Sequence, residues 1–265
     1  MARMFERMQQ AYRFTRRPPE FLLTHPLSET RISDARDQAR SAGTTQPIDP
    51  RSALAYQIVR IRAQQSYSTN PGLDVVTYRK ALQDQPKDLA SEYGLALALS
   101  RKGDHEEAIE RVRKIYQSDK GNVLFISALA ETLTAADQVQ EAEEHLLKAL
   151  ALYPDSYPLT MLLAQAKAKN QRYTEAETLY KRMSKLRPND TLIWFELAET
   201  AGLAGNVTEV HLARAEYFYL NGASHRAIQH LEYAKNLVAG GNRQLHAKLT
   251  QRIQDLRTEI RAQQG

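Results

Sequence analysis

Small apolar residues recur along this chain on a fixed step. Ala96, Ala130, Ala164 and Ala198 are 34 residues apart at every interval, and Ala108, Ala142 and Ala176 keep the same step. Each of the second set follows a polar, acidic stretch suited to a helix start: Gly103-Asp104-His105-Glu106-Glu107, Asp137-Gln138-Val139-Gln140-Glu141 and Gln171-Arg172-Tyr173-Thr174-Glu175. Prolines share the period. Pro154 and Pro188 are 34 apart, Pro86 lies two steps before Pro154, and Lys120 fills the skipped slot. These markers predict a unit of two antiparallel helices. The helices approach closely where the residues are small, and a proline that cannot continue the hydrogen-bond ladder ends the second one. Neighbouring units then stack and bury a shared core.

With this period, the paired Glu-Ala, the terminal prolines and Trp194, Leu197 and Ala198, the sequence resembles the tetratricopeptide repeat (TPR) family. The resemblance implies an all-α fold, a TPR-type α-solenoid coiled as a right-handed superhelix of helix pairs, here preceded by an N-terminal helical tail. The repeats are expected over 52–241. A degenerate unit at 55–88 carries Asp74 where a small residue belongs, and 89–122, 123–156 and 157–190 are the clear units. After Gly205 the next glycine turn comes at Gly222, only 17 residues on. Half a period is one helix, so units 191–220 and 207–241 overlap by one helix and the alternation survives. Residues 242–265 read as a capping helix. Its apolar stripe is Leu245, Leu249, Ile253, Leu256 and Ile260, and its other face carries Arg243, Lys248, Arg252, Arg257 and Arg261. A basic membrane-surface helix is the rival reading of that segment. Asp255 and Glu259 dilute its charge, and the stripe has no Trp or Phe.

Residues 1–51 differ. No lysine precedes Lys80, whereas nine arginines occur by Arg51. A helix is expected over 3–14, with Met4, Met8 and Tyr12 on one face, until Pro18-Pro19 stops it. Ser28 can cap a second helix over about 28–41, and Gly43 to Pro50 reads as a linker. An organellar transit peptide fits poorly with Glu6 and the proline-rich passage downstream. No apolar h-region follows Met1, so no secretion signal is expected in this chain.

Composition narrows the chemistry. The 265 residues carry 36 basic and 31 acidic side chains, a net charge of +5 interleaved along the chain, which speaks for a solvated surface rather than nucleic-acid binding. The absence of cysteine excludes disulfides, thiolate zinc sites and cysteine nucleophiles. No apolar run is long enough for a membrane-spanning helix. His105-Glu106-Glu107 lacks the second histidine of an H-E-x-x-H zinc motif, and His225 and His230 are five apart, a poor spacing for one helix face. The histidines other than His25 read as surface or groove residues. Glu106-Glu107 and Glu143-Glu144 are helix-start charges rather than an acid/base pair. No complete catalytic constellation emerges, so no catalytic residue is assigned.

His25 stands apart. Pro19-Glu20-Phe21-Leu22-Leu23-Thr24-His25-Pro26-Leu27, followed by Arg31-Ile32 and Asp34-Ala35, resembles the end of the protease domain in periplasmic zinc metalloproteases of the beta-barrel assembly-enhancing type, where TPR units follow. The resemblance implies that 1–51 is the tail of a metalloprotease-like domain with its linker. It also implies that the H-E-x-x-H helix belongs to an upstream part of a longer protein, with Met1 an internal start. It makes His25 an auto-inhibitory zinc ligand in that parent protein, with no cofactor held by this chain itself. It further implies a periplasmic module that binds proteins or unfolded polypeptide segments, among them the outer-membrane beta-barrel assembly machinery, in quality control and chaperoning. A stand-alone TPR scaffold and a self-sufficient metal-dependent hydrolase remain the alternatives.

The TPR resemblance also implies a binding groove, because the first helix of each unit lines the concave face of a TPR stack, and the period places its residues. The predicted groove positions are Tyr93, Leu97 and Arg101; Ser127, Glu131 and Ala135; Met161, Gln165 and Lys169; and Phe195 with Glu199. Such a mixed aromatic, apolar and polar wall suits an extended or helical protein segment. Glu131 and Glu199 speak against the clamping of a terminal carboxylate.

Overall fold

A computed structural model describes residues 29–41 and 49–264. Every regular element among these residues is a helix: α1 (Glu29–Ser41), α2 (Pro50–Tyr67), α3 (Pro71–Asp84), α4 (Leu89–Lys102), α5 (His105–Ser118), α6 (Val123–Ala135), α7 (Val139–Leu152), α8 (Tyr157–Lys169), α9 (Tyr173–Leu186), α10 (Thr191–Leu203), α11 (Val207–Leu220), α12 (Ser224–Val238) and α13 (Arg243–Gln264). The chain divides into two compact units, Met1–Ala53 and Leu54–Gly265. Helix α1 lies in the first; the second holds nearly all of α2 and all of α3–α13. The helix expected over 3–14, the Pro18-Pro19 passage and His25 lie outside the described residues, as does most of the linker.

From α3 to α13 each helix packs on the next, and α4 also packs on α6, and α6 on α8. This is the all-α solenoid of helix pairs that the period predicts. The alanines on the 34-residue step sit at the contacts: Ala108, Ala142, Ala164 and Ala176 are fully buried, and Ala96, Ala130 and Ala198 nearly so. A larger side chain at these points would hold the backbones apart. Gly94 serves the same end between α3 and α4, because a Cβ there would stand 2.5 Å from the Tyr78 ring. The core is built in segments that share helices, with α11 contributing Ala213 to one cluster and Ala215 to the next.

The turns repeat as faithfully as the core. Gly103, Asp137, Gln171 and Gly205 all have left-handed backbone, with φ of 96°, 61°, 58° and 78°. They stand one period apart, and Gly222 repeats the conformation half a period later, with φ of 75°. At each of these turns the next amide closes a six-residue hydrogen bond: Asp104 to Leu99 O, Gln138 to Leu133 O, Arg172 to Lys167 O, Asn206 to Ala201 O and Ala223 to Phe218 O, at 2.8–3.0 Å. The opposite turns are capped by Asp88, Asn122 and Asp190, whose side chains accept backbone N–H bonds at the starts of α4, α6 and α10.

Buried charges clasp one unit to the next. Glu143 on α7 accepts hydrogen bonds from Lys167 at 3.3 Å, Asn170 at 3.2 Å and Arg172 at 2.7 Å, all from the end of α8 and the turn after it. One period on, Glu177 accepts from Asn206 at 2.7 Å and pairs with Lys181 at 2.6 Å. Lys181 also reaches Glu209 on α11 at 2.9 Å.

Two expectations follow. Ala142→Trp should overpack the buried contact and lower stability by about 1–3 kcal/mol or more in urea unfolding; an unchanged midpoint would mean that Ala142 is not at a helix contact. Gln171→Gly removes a side chain from left-handed backbone and should raise stability by about 0.5–1 kcal/mol, the reverse of what Gly205→Ala should do.

Candidate functional site: the first-helix face

The predicted groove residues occupy i, i+4 and i+8 positions on α4, α6 and α8, so each row runs along one helix face. The rows begin buried and end exposed: Tyr93, Ser127 and Met161 are buried, Leu97 and Glu131 half-buried, and Arg101, Ala135, Gln165 and Lys169 exposed. Four of these positions, Ser127, Glu131, Met161 and Gln165, line one cleft of about 280 Å³. Val123, Leu124, Tyr157, Pro158, Leu162 and Leu192 complete its apolar walls, and Arg62 of α2 closes one end.

Helix α2 covers the start of this face. Ile58 and Ile61 enter the core that α4, α6 and α8 share. Arg62 donates to the Tyr93 hydroxyl at 2.7 Å and to Glu131 Oε1 at 2.5 Å, and Gln65 donates to the Gly94 carbonyl at 2.7 Å. Arg101 answers from below, donating to the carbonyls of Gln65 and Ser68. Tyr93 is therefore fully buried beneath α2 and cannot reach a second polypeptide while α2 is seated. Burial pushes its hydroxyl up to about 12. Burial works against the Arg62 charge too, but the Glu131 carboxylate outweighs it and holds the guanidinium above its ordinary range.

The remaining predicted positions lie elsewhere. Lys169 is spent on a staple, donating to the Thr134 carbonyl at 2.5 Å and pairing with Asp137 at 2.7 Å. Phe195 and Glu199 face α11 instead of the cleft. The Phe195 ring lies 5.8 Å from Tyr217, and Glu199 pairs with Arg214 at 3.2 Å. Phe195 is still 45% exposed, so it remains reachable from solvent.

Sequence reasoning overlooked a second periodic row. Leu124, Pro158 and Leu192 are one period apart and all line the cleft. The clock that located Ser127 and Met161 would have found them had it been carried one turn towards the helix starts. Arg62 gave no such signal: it stands one period before Ala96, where the later units carry a small residue, so the register says nothing of its contacts. Tyr157 at the cleft edge donates to Asp190 at 2.9 Å beneath the Arg187 guanidinium, 4.2 Å from the ring centre.

Two tetratricopeptide repeat family models match the chain, over residues 77–123 and 133–199. Among curated proteins, the beta-barrel assembly-enhancing protease of Yersinia pestis is 28% identical over 262 residues, covering 97% of this chain and 52% of its own. The protein of the same name from Escherichia coli K12 is 27% identical over 261 residues, with the same coverage. These are tetratricopeptide repeats, in a chain homologous to the beta-barrel assembly-enhancing proteases. The chain spans about half the length of the curated relatives it matches. A thermophilic TPR protein of Thermus thermophilus shares the fold, with a TM-score of 0.50 at 17% identity, over 77% of this chain and 98% of its own.

The described residues do not fit the zinc centre that the sequence resemblance implies. Among them no group of three or more His, Asp or Glu side chains could hold a metal ion, and His25 lies outside them. No chemical step is therefore derived through zinc. Among the described residues no helix is long and apolar enough to cross a membrane.

The Arg62 contacts are testable. Arg62→Ala removes two hydrogen bonds and leaves Glu131 without its partner, so stability should fall by about 1–3 kcal/mol. In a double-mutant cycle with Glu131→Gln the two losses should be strongly non-additive, and simple additivity would show that the pair contributes nothing.

Proposed function

We propose that this chain is the protein-interaction module of a periplasmic zinc metalloprotease that acts in outer-membrane beta-barrel assembly and quality control. The α6–α8 cleft receives an extended or helical segment of the assembly machinery or of an unfolded client. The observation that carries this reading is the run of similarity across 97% of the chain, tail and repeats together, to proteins named for beta-barrel assembly. The cleft gives it a physical basis. Its walls are mostly apolar, and its one acidic side chain, Glu131, is already paired with Arg62. Recognition there rests on apolar side chains and backbone hydrogen bonding, which suits segments not yet folded.

In this reading the tail at 1–51 belongs to the metalloprotease part. His25 is the residue that holds the parent enzyme off by taking the water's place on zinc. The periplasmic location, the zinc and the partner all belong to the proposal.

The test is a cleft variant that leaves the core alone. Leu192 is exposed and Gln165 lies at the cleft mouth. Leu192→Glu with Gln165→Glu should abolish co-purification of the assembly machinery and of an unfolded outer-membrane protein, while the thermal midpoint stays near that of the wild type. Undiminished capture by this double variant would remove the cleft from the binding site. Zinc-dependent cleavage of the unfolded protein by the chain alone, lost in His25→Ala, would overturn the module reading in favour of a self-sufficient hydrolase.

A further inference from the structure

We propose that His211 and His230 form a two-imidazole site for a divalent transition-metal ion, Cu²⁺ foremost, with Ni²⁺ and Zn²⁺ as weaker occupants. The two histidines are 19 residues apart and lie on facing helices, α11 and α12. Their Nδ1 atoms stand 3.0 Å from each other. In the metal-free protein that approach requires one ring to donate Nδ1–H while the other offers its lone pair. A metal ion needs both lone pairs, and both become available when the donating ring shifts its proton to Nε2. The exchange releases no net proton from the pair.

The spacing fits ligation. Two nitrogens each about 2.05 Å from one ion are about 2.9 Å apart at a right angle and about 3.3 Å apart at the tetrahedral angle. The observed 3.0 Å is close to the right-angled arrangement, which is the preference of Cu²⁺ and Ni²⁺ in nitrogen and oxygen sites. Aromatic neighbours flank both rings, and ligation needs only that each ring turn its Nδ1 lone pair off the line between them. Phe218 stacks on His230 with centroids 5.3 Å apart and planes 20° apart, and Tyr233 packs on His211 at 5.1 Å. Both imidazoles are only half-buried, so the other coordination positions open to water or to a donor from a second molecule.

The charges around the pair bear on the choice of ion. Arg214, one turn from His211 and paired with Glu199 of α10 at 3.2 Å, opposes a cation. Burial, followed by Arg214, holds the His211 ring below its ordinary range; burial, His211 and Arg214 do the same for His230. Both rings are therefore neutral at neutral pH, the state that ligation needs. No third His, Asp or Glu ligand completes the set among the described residues. Hard ions such as Ca²⁺ and Mg²⁺, which need several oxygen donors, are thus poorly served.

The test uses the full chain with Cu²⁺ alone, in a buffer holding a weak competing chelator. Calorimetry and low-temperature electron paramagnetic resonance should show a Cu²⁺ site with two nitrogen donors, and Ni²⁺ or Zn²⁺ should bind in the same place more weakly. His211→Gln and His230→Gln should each weaken that site by about tenfold or more, whereas His225→Gln with His246→Gln leaves it intact. Cu²⁺ should also raise the thermal midpoint of the wild type, because it ties α11 to α12, and fail to do so in the His211→Gln/His230→Gln variant. On the unaltered chain, Zn²⁺ should shift the Nδ1 resonances of these two rings. Cu²⁺ titrations that coincide for the wild type and the double variant, or Nδ1 resonances of His211 and His230 that Zn²⁺ leaves in place, would overturn the proposal.

Discussion

The structure depends on how closely consecutive helix backbones can approach. That distance is set by side chains of one carbon, repeated at Ala96, Ala130, Ala164 and Ala198 on one set of helices and Ala108, Ala142 and Ala176 on the other. Each contact buries little area on its own, but it brings the larger neighbours into register. Leu95 and Leu99, Leu129 and Leu133, Leu146, Leu159 and Ile193 are then shielded from water at once. Because each helix packs chiefly on its nearest neighbours, stability accrues step by step along the chain, as in other solenoids. A fault at one alanine therefore weakens two adjoining interfaces and leaves distant ones alone.

Packing fixes the distance, and the turns and clasps fix the angle. A left-handed residue followed by a six-residue hydrogen bond reverses the chain the same way at five turns between Gly103 and Gly222. Two of those turns accept the conformation without glycine. Asp137 gains an ion pair with Lys169 that offsets part of the cost, whereas Gln171 carries the strain with no such offset among its described contacts. The buried carboxylates Glu143 and Glu177 then lock α7 and α9 to the turn of the following unit. Burying a carboxylate is expensive, and here the cost is met by gathering several donors around each one: Lys167, Asn170 and Arg172 for Glu143, Asn206 and Lys181 for Glu177. The geometry tolerates little change in register, because a shifted helix would leave those charges buried and bare.

Most of this architecture was legible in the sequence, because it is periodic. The 34-residue step marked the helix pairs, the Gly205–Gly222 spacing the half-step after them, and an apolar stripe the final helix, whose Leu249, Ile253 and Leu256 are buried. The step also placed Ser127, Glu131, Met161 and Gln165 around one cleft. What it could not show was aperiodic. Helix α2 has a place in the count, as the opening of a degenerate unit, but its side chains follow no repeat. Nothing local announces that Arg62 spans from Tyr93 on α4 to Glu131 on α6. Tyr93 looked like a groove aromatic for that reason, and it is a core residue under α2. The His211–His230 contact escaped for a related reason. Spacing along one helix, which paired His230 with His225, cannot report a meeting between two helices.

The aperiodic contacts also change the electrostatics of the first-helix face. Read alone, Glu131 and Glu199 make that wall acidic. In the folded chain each is matched, Glu131 by Arg62 and Glu199 by Arg214, and the basic side chains at the row ends, Arg101 and Lys169, are bound to carbonyls of neighbouring segments. The wall that a partner would meet between α6 and α10 is thus close to neutral, with Leu124, Pro158, Leu162 and Leu192 as its main relief. A neutral apolar wall discriminates little between sequences but strongly between folded and unfolded chains, because only unfolded ones present apolar side chains and open backbone together. For a partner bound as proposed, selectivity would come from the edges of the cleft. There Tyr157, held under Arg187 by Asp190, and the Arg62–Glu131 pair offer the only fixed polar geometry among the lining residues with described side-chain bonds.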